Sequence, residues 1–479
     1  MGSRSLALLQ RSLAGIGLQQ VSSLMLINLL LAAVAFGKDI LTATYFGTSQ
    51  AADALLLGFF LPDLIGNNLL GMAIGVAGVP LFATMAVQGQ GAEVRRQLRR
   101  MVLVLGGVTA VLCVGLALFH EPILAWLGDG LDGEVLALTR TLFLLLLPSM
   151  IFFTLCLPVS AALQAVERFH APALAPVLFN GVWLAALLVL TVIGTPLEKG
   201  AVVTGGGILL GSVGMLLWVW RAWRQVPQQG LLAPRTASTA STASTASTTG
   251  TTTHPTITNA AKGSFPRTFF PFLILLLNTQ LVYVIERKLA SGLESGTIAG
   301  LQYAFRLAQF PNWVFVAAVT TVLLPAVSRA FAARDPLALR QAMKRALWAA
   351  LWITVPIALV LSVAREPIVS LLFQHGTFDE VSLKLTSGIL AGYAWAIVGQ
   401  AVTAVCLRYG MAVGRMGRPV LISFVALAVT ALADIWLTAR LGSAGLGIGA
   451  ACGATVNGVL MLLFVRSDLH AMGKRGDAA

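Results

Sequence analysis

Glu121-Pro122-Ile123 and Glu366-Pro367-Ile368 are one tripeptide written twice, 245 residues apart, and the text around them repeats as well. Pro80 returns as Pro325 at the same offset. The basic group Arg95, Arg96, Arg99 and Arg100 returns as Arg340, Lys344 and Arg345, and Ala171-Pro172 returns as Arg418-Pro419 with a slip of two residues. Each copy is built of long apolar runs, so the repeat is a duplicated membrane bundle. Duplicated bundles are the usual architecture of alternating-access transporters, with the substrate between the halves.

Composition agrees. Hydrophobic residues make up 57% of the chain and charged residues 11%, against roughly 25% charged in soluble domains. Apolar stretches of about 20 residues, the length that crosses the hydrocarbon core as a helix, recur throughout. Spans are predicted near 20–46, 52–87, 100–119, 135–163, 171–194 and 201–222, then near 268–290, 297–331, 342–364, 381–412, 418–439 and 444–465. The fold class is therefore an all-α integral membrane protein of about twelve transmembrane helices in two six-helix lobes. Six is an even number, so both lobes enter the membrane in the same sense and form a parallel repeat. The expected division is 1–224 for the first lobe, 225–266 for a linker, 267–466 for the second lobe and 467–479 for a polar tail. Residues 236–253 of the linker are a Thr/Ala/Ser tract that cannot bury a core and reads as a passive tether.

The net charge of +13 is not a nucleic-acid signature. With both termini on the cytoplasmic side, most of the 32 Lys and Arg fall on inner loops and ends, which is the positive-inside pattern of a multi-pass membrane protein. Attraction to anionic lipid headgroups follows as a secondary effect. Arg4 and Arg11 precede no small-residue cleavage site, so no removed signal peptide is expected. Residues 5–19 read as a short interfacial helix. Cys113, Cys156, Cys406 and Cys452 lie in apolar segments without metal-ligand or CxxC spacing and read as small core residues. His120, His170 and His375 lie at loops, far apart in sequence. No Walker A, strand-linked GxGxxG or HExxH is present; Gly205-Gly206-Gly207 runs straight into Ile208-Leu209-Leu210. No cofactor, metal or catalytic centre is called for, and the chain does not read as an enzyme.

Ionisable residues at membrane depth are costly, and each calls for an explanation. Lys38-Asp39 lies late in the first span; either the pair neutralises itself and anchors a helix end, or Lys38 faces a cavity and binds an anion. Asp53 and Asp63 flank the Leu61-Pro62 step, where proline kinks the helix and frees a carbonyl. Asp53 reads as a cap or a partner for Lys38; Asp63 is the better cavity candidate. Arg306, with Pro311 five residues on, has Leu61 as its repeat counterpart, so duplication does not explain it. A guanidinium at that depth needs a carboxylate, water or an anionic ligand, and a cavity-facing role is favoured. Glu286-Arg287-Lys288 reads as a solvated helix end, with Arg287 a second ligand candidate. Asp434 reads either as a cation ligand or as a partner of Arg408. Asp63 and Asp434 are the candidate ion-coupling carboxylates.

Several of these segments carry a resemblance. Phe36-Gly37-Lys38-Asp39, Tyr45-Phe46-Gly47-Thr48, Ala52-Asp53-Ala54 and Leu61-Pro62 resemble the opening of the lipid II flippase family (MurJ/MviN), part of the multidrug/oligosaccharidyl-lipid/polysaccharide exporter superfamily. Leu289-Ala290-Ser291-Gly292-Leu293, Tyr303-Ala304-Phe305-Arg306-Leu307 and Gln309-Phe310-Pro311 are similar to its seventh and eighth helices. Glu366-Pro367-Ile368, Leu371-Leu372-Phe373 and His375-Gly376-Thr377-Phe378 resemble a later motif. The resemblance implies a two-lobed flippase that moves a polyprenyl-pyrophosphate-linked glycan precursor from the inner to the outer leaflet for peptidoglycan or other cell-wall synthesis. Its partners would be the lipid-linked substrate, membrane lipids and proteins of cell-envelope synthesis. Lys38 takes the place of one family arginine, Asp53 matches the family's acidic residue and orients Lys38, Arg306 matches a cavity arginine, and Arg287 falls on a further basic position.

The departures are specific. A family arginine six residues before the basic-Asp pair is Ala32 here, and the family's Leu-Leu-Arg-Arg and Phe-Ala-Glu-Gly stretches are replaced by Leu64-Ile65-Gly66-Asn67-Asn68 and Leu70-Gly71-Met72. Two further C-terminal helices common in the family have no counterpart after Arg466-Ser467-Asp468. Two other readings stand beside the flippase: a cation-coupled exporter of small organic molecules, and a transport-inactive membrane scaffold.

Overall fold

The computed structural model describes residues 18–226, 265–312, 323, 326–331, 333 and 335–476. The expected interfacial helix over 5–19 falls almost wholly outside these residues. So do the Thr/Ala/Ser linker, Pro325 of the repeat and most of the eighth span beyond Asn312.

Every element with regular hydrogen bonding among the described residues is helical. The first half contains α1 (Leu18–Phe46), α2 (Gln50–Pro62), a π-helical segment (Asp63–Leu69), α3 (Leu70–Val87), α4 (Gly91–Leu118), α5 (His120–Leu127), α6 (Gly133–Ala165), α7 (His170–Ile193) and α8 (Leu197–Arg224). The second contains α9 (Phe265–Ser291), α10 (Thr297–Pro311), α11 (Pro336–Val363), α12 (Arg365–Phe373), α13 (Glu380–Val413), α14 (Gly417–Leu441) and α15 (Ala444–Gly476). The duplication read from Glu-Pro-Ile is a duplication of helices. The starts of α9 to α15 lie 245 or 247 residues after those of α1, α2 and α4 to α8. α15 continues through Arg466-Ser467-Asp468 to Gly476.

Nine helices among the described residues are long and apolar enough to cross a membrane. The second, seventh and eighth predicted spans, whose helices are broken, polar in part or described only in part, complete about twelve. The second is broken after Pro62 by the π segment. The seventh, α9, carries Asn278-Thr279-Gln280 in its middle and Glu286-Arg287-Lys288 at its end. The eighth, α10, bears Arg306 and is described only to its Pro311 break. Exposed Val, Leu and Trp side chains along α4, α7, α11 and α14 are the apolar surface that such a protein presents to lipid.

Caps set where the long helices begin. Asp335 accepts from Leu337 N at 3.0 Å and Ala338 N at 2.9 Å, with Pro336 supplying a first turn that needs no donor. Asp379 accepts from Ser382 N at 2.8 Å at the start of α13. That backbone amide holds the exposed Asp379 carboxyl below the ordinary carboxylate range. A folded value below the unfolded one means that the cap's contribution is complete above the unfolded value and fades as pH falls through the folded one. Asp379→Ala is expected to cost about 1 kcal/mol, read as a lower thermal midpoint at pH 7 that converges on the parent protein's at low pH.

Two compact units emerge from the packing. The described residues of Met1–Thr42, Gly58–Glu121 and Thr139–Thr256 form one; those of Ala43–Leu57, Pro122–Leu138 and Ile257–Ala479 form the other. The second unit thus takes in two short segments from the first half of the chain. Within it α13 packs along α15, and α14 along α15. The core there gathers Met343, Ala350, Val405, Cys406, Tyr409, Met461 and Phe464. Near it, Asp468 accepts from Tyr409 Oη at 2.6 Å and pairs with Arg415.

Candidate functional site

Each unit holds its own set of polar groups at membrane depth. In the first, α1 carries Lys38 with 4% of its surface exposed. Its ammonium is 2.6 Å from Asp39 Oδ1 and 4.2 Å from the centre of the Trp183 ring on α7. An ion pair with its immediate neighbour and an aromatic face together make a lysine tolerable there. The self-neutralising pair that sequence allowed is present, and Trp183 is a component that sequence reasoning missed. Nothing local marks Trp183, which lies 145 residues from Lys38 in an apolar run.

Asp63 opens the π segment of this unit. Its two carboxylate oxygens accept from Asn67 Nδ2 at 3.1 Å and Asn68 Nδ2 at 3.0 Å, and its carbonyl from Asn68 Nδ2 at 3.2 Å. The wider turn after Pro62 brings residues four and five apart onto one face, where Asn67 and Asn68 both reach the same carboxylate.

In the second unit Asp53 is a cap, though not of its own helix. Its Oδ2 accepts from Gly296 N at 2.6 Å and its Oδ1 from Ala299 N at 2.8 Å, both at the start of α10. α10 has no side-chain cap of its own, and a carboxylate on two N-terminal amides also meets the positive end of the helix dipole. Gly296 adopts φ +87°, and a Cβ there would run into the Thr48 carbonyl. The chain around Asp53 is stitched down along its length. Thr377 N donates to Thr44 O at 2.9 Å, Thr48 and Ser382 hydroxyls meet at 2.8 Å, and Tyr303 Oη donates to Gly47 O at 3.0 Å. The alternative Asp53 role as a partner orienting Lys38 is not what engages its oxygens here: both are taken by the α10 amides.

Arg287 and Arg306 come together in this same unit. Arg287 donates to Gln302 Oε1, and it lies within electrostatic range of Arg306, Asp53 and Glu286. Tyr283 is in range of both arginines and stacks edge-on with Phe305 at 5.4 Å. α9 and α10 therefore carry two half-buried guanidinium groups within electrostatic range of each other. The carboxylates of Glu286 and Asp53, in range of Arg287, offset part of their mutual repulsion.

Glu286 corrects the expectation of a solvated helix end. It is 4% exposed and lies beside the Tyr393 hydroxyl, with Asp434 in electrostatic range. Lys288 does sit at the surface, 2.7 Å from Asp129. Asp434 is fully buried, and neither of its carboxylate oxygens has a hydrogen-bond partner. It faces the open flank of Gly449, where an added Cβ would collide with it. The pairing of Asp434 with Arg408 is not made: no ion pair joins them, and Arg408 Nε is itself without a partner. Among the described residues no group of three or more His, Cys, Asp and Glu has metal-holding geometry. Cys156 and Cys406 are buried, Cys113 is partly buried and Cys452 is exposed, and all four are free.

The arrangement resembles known transporters in sequence and in fold. A family profile, lipid II flippase MurJ, matches residues 42–476. The lipid II flippase MurJ of Burkholderia cenocepacia is 27% identical over 443 residues, covering 92% of this chain and 82% of that protein. The probable lipid II flippase MurJ of Haemophilus influenzae is 24% identical, covering 91% of this chain and 84% of its own length. Among solved structures, lipid II flippase MurJ in an inward closed conformation has a TM-score of 0.71 at 20% identity, covering 94% of this chain and 89% of that one. An inward-facing MATE-family multidrug resistance transporter of the MOP superfamily has a TM-score of 0.69 at 15% identity, covering 93% and 95%. At such identities the structural likeness establishes the fold alone, but the profile runs through most of the chain. The chain belongs to the lipid II flippase MurJ family.

Proposed function

We propose that this protein is a flippase for a polyprenyl-pyrophosphate-linked cell-envelope glycan precursor, lipid II or a related lipid-linked sugar, carried from the inner to the outer leaflet by alternating access. The observation that supports it most directly is the convergence of Arg287 and Arg306 at membrane depth. Two guanidinium groups suit a diphosphate, which offers each a pair of oxygens for charge-assisted hydrogen bonds. Lys38 is the first unit's own candidate for binding a headgroup phosphate, and Asp53 holds the start of the helix that carries Arg306. Both termini lie in the cytoplasm, the lobes are residues 1–224 and 267–466, and proteins of cell-envelope synthesis supply the substrate.

Asp63 and Asp434 are the coupling carboxylates in this reading. A buried carboxylate with no hydrogen-bond partner, Asp434, is costly when ionised and empty. Proton or cation uptake from a gradient relieves that cost, and Glu286 adds a second carboxylate to the same locality.

Complementation tests the function. Cells depleted of their own lipid II flippase are expected to survive on the parent protein, and Arg306→Ala, expressed to the same level, is expected to abolish rescue. Failure of the well-expressed parent would exclude lipid II and turn the search to another lipid-linked glycan, or to a small organic molecule exported on the same fold. Full rescue by Arg306→Ala would remove that residue from the substrate site.

A further inference from the structure

Lys38 and Trp183 form a device within the first unit. The Lys38 ammonium rests over the Trp183 ring at 4.2 Å. Trp183 is in turn fixed by a closed set of edge-on aromatic contacts. Phe59 lies 5.6 Å from it and Phe179 6.2 Å, while Phe153 bridges the two at 6.3 Å and 5.2 Å. The two near-perpendicular contacts on the indole, themselves braced by Phe153, leave it little freedom to turn. Trp183 is only 4% exposed, yet its indole Nε1 has no hydrogen-bond acceptor. Indole is a donor only, and buried tryptophans usually find an acceptor. A buried donor left unmade is expensive. Asp39 already faces the ammonium, and the indole N–H on the ring beneath it is a donor left for a further oxygen acceptor.

We propose that Trp183 is a specificity-determining residue of the headgroup site: its face carries the Lys38 ammonium, and its indole N–H donates to an oxygen of a lipid-linked diphosphate that lies beside the Lys38–Asp39 pair. The proposal rests on the flippase reading above and adds to it a neutral directional donor. A point charge such as lysine attracts any anion, whereas an N–H on a ring held between Phe59 and Phe179 selects an oxygen at one position. A lysine offers no planar bidentate recognition, and the indole supplies direction to the site.

The experiment uses the full-length protein in nanodiscs with three probes: a polyprenyl diphosphate, the anionic phospholipid phosphatidylglycerol and inorganic pyrophosphate. Trp183→Phe keeps a face for Lys38 and removes only the donor, and is expected to weaken polyprenyl diphosphate binding about tenfold with an unchanged thermal midpoint. In a Lys38→Gln background the same substitution is expected to cost much less, a non-additivity that a merely structural ring would not show. Trp183→Leu removes face and donor together and is expected to bind more weakly still; should it fail to fold, the phenylalanine variant decides. Binding by Trp183→Phe equal to that of the parent would overturn the role of the indole while leaving the flippase reading intact. A parent protein that does not bind polyprenyl diphosphate would overturn both. Equal binding of inorganic pyrophosphate or of phosphatidylglycerol would overturn the commitment to a lipid-linked diphosphate.

Discussion

Asp53→Ala is expected to release the start of α10 and to abolish transport. The substitution removes the acceptor for two buried amides, those of Gly296 and Ala299, at a place where nothing else caps the helix. Each orphaned donor costs roughly 1–3 kcal/mol, and loss of the favourable charge at the helix N-terminus adds to it. A total of about 3–5 kcal/mol is a large fraction of a typical protein's stability. Hydrogen exchange on peptides covering 296–300 reads the effect directly: these amides should exchange at least a hundredfold faster in the variant. Asp53→Asn keeps one carboxamide oxygen and should recover part of the protection, because one acceptor cannot serve both amides as well as two. Unchanged exchange at Gly296 and Ala299 in Asp53→Ala would show that the carboxylate does not cap the helix in solution. Arg306 lies in the third turn of α10, so a frayed start would also disturb the guanidinium, and complementation should fail with it.

The sequence carried the parts of this architecture that are one-dimensional. The repeat of Glu121-Pro122-Ile123 at Glu366 is visible because both copies kept a short helix of the same register, α5 and α12. Lys38, Asp39, Asp53, Asp63, Arg306 and Asp434 stood out because a charge in an apolar run has a cost wherever the chain goes. Their partners were another matter. The donors on Asp53 lie 243 and 246 residues away, and no local pattern joins an acid in one helix to the bare start of another. Trp183 was hidden for the opposite reason: a tryptophan in an apolar run is unremarkable until an ammonium is found on its face. Glu286 was misjudged because Glu-Arg-Lys at a helix end looks solvated. Tyr393 on α13 covers it, and that contact is tertiary. Asp434 stands out in the sequence as a carboxylate in an apolar run, but its lack of an ion pair with Arg408 is a tertiary fact that the sequence does not show.

A second large effect is expected where α13 and α15 touch backbone to backbone. At Gly399 an added Cβ would fall on the carbonyl of Ala454 and within 2.7 Å of Thr455 N, and Gly458 returns the contact at 3.0 Å from Gly399 O. One step of seven residues earlier, Gly392 meets Gly447 in the same way. Small residues at such spacing let membrane helices approach until van der Waals contact, not hydrophobic exclusion, holds them together. Backbone atoms cannot swing aside as the end of a side chain can. Gly399→Ala must therefore displace a whole helix, at about 1–3 kcal/mol or more. Gly399→Leu is expected to leave no monodisperse protein on size-exclusion chromatography. Gly388→Ala is the matched control, because its Cβ would meet only the Ala444 methyl at an ordinary 3.8 Å. Equal thermal midpoints for Gly399→Ala and Gly388→Ala would refute the close contact.

The seven residues from Asp63 to Leu69 wind more loosely than the helices on either side, and a looser helix turns through a smaller angle for each residue it adds. All of α3 is therefore rotated about its axis relative to where an unbroken continuation of α2 would have placed it. The face that Leu70 to Val87 turn toward lipid or protein depends on how many residues this one segment contains. Loss or gain of a single residue there would act like turning a screw, re-aiming eighteen residues at once without changing any of them.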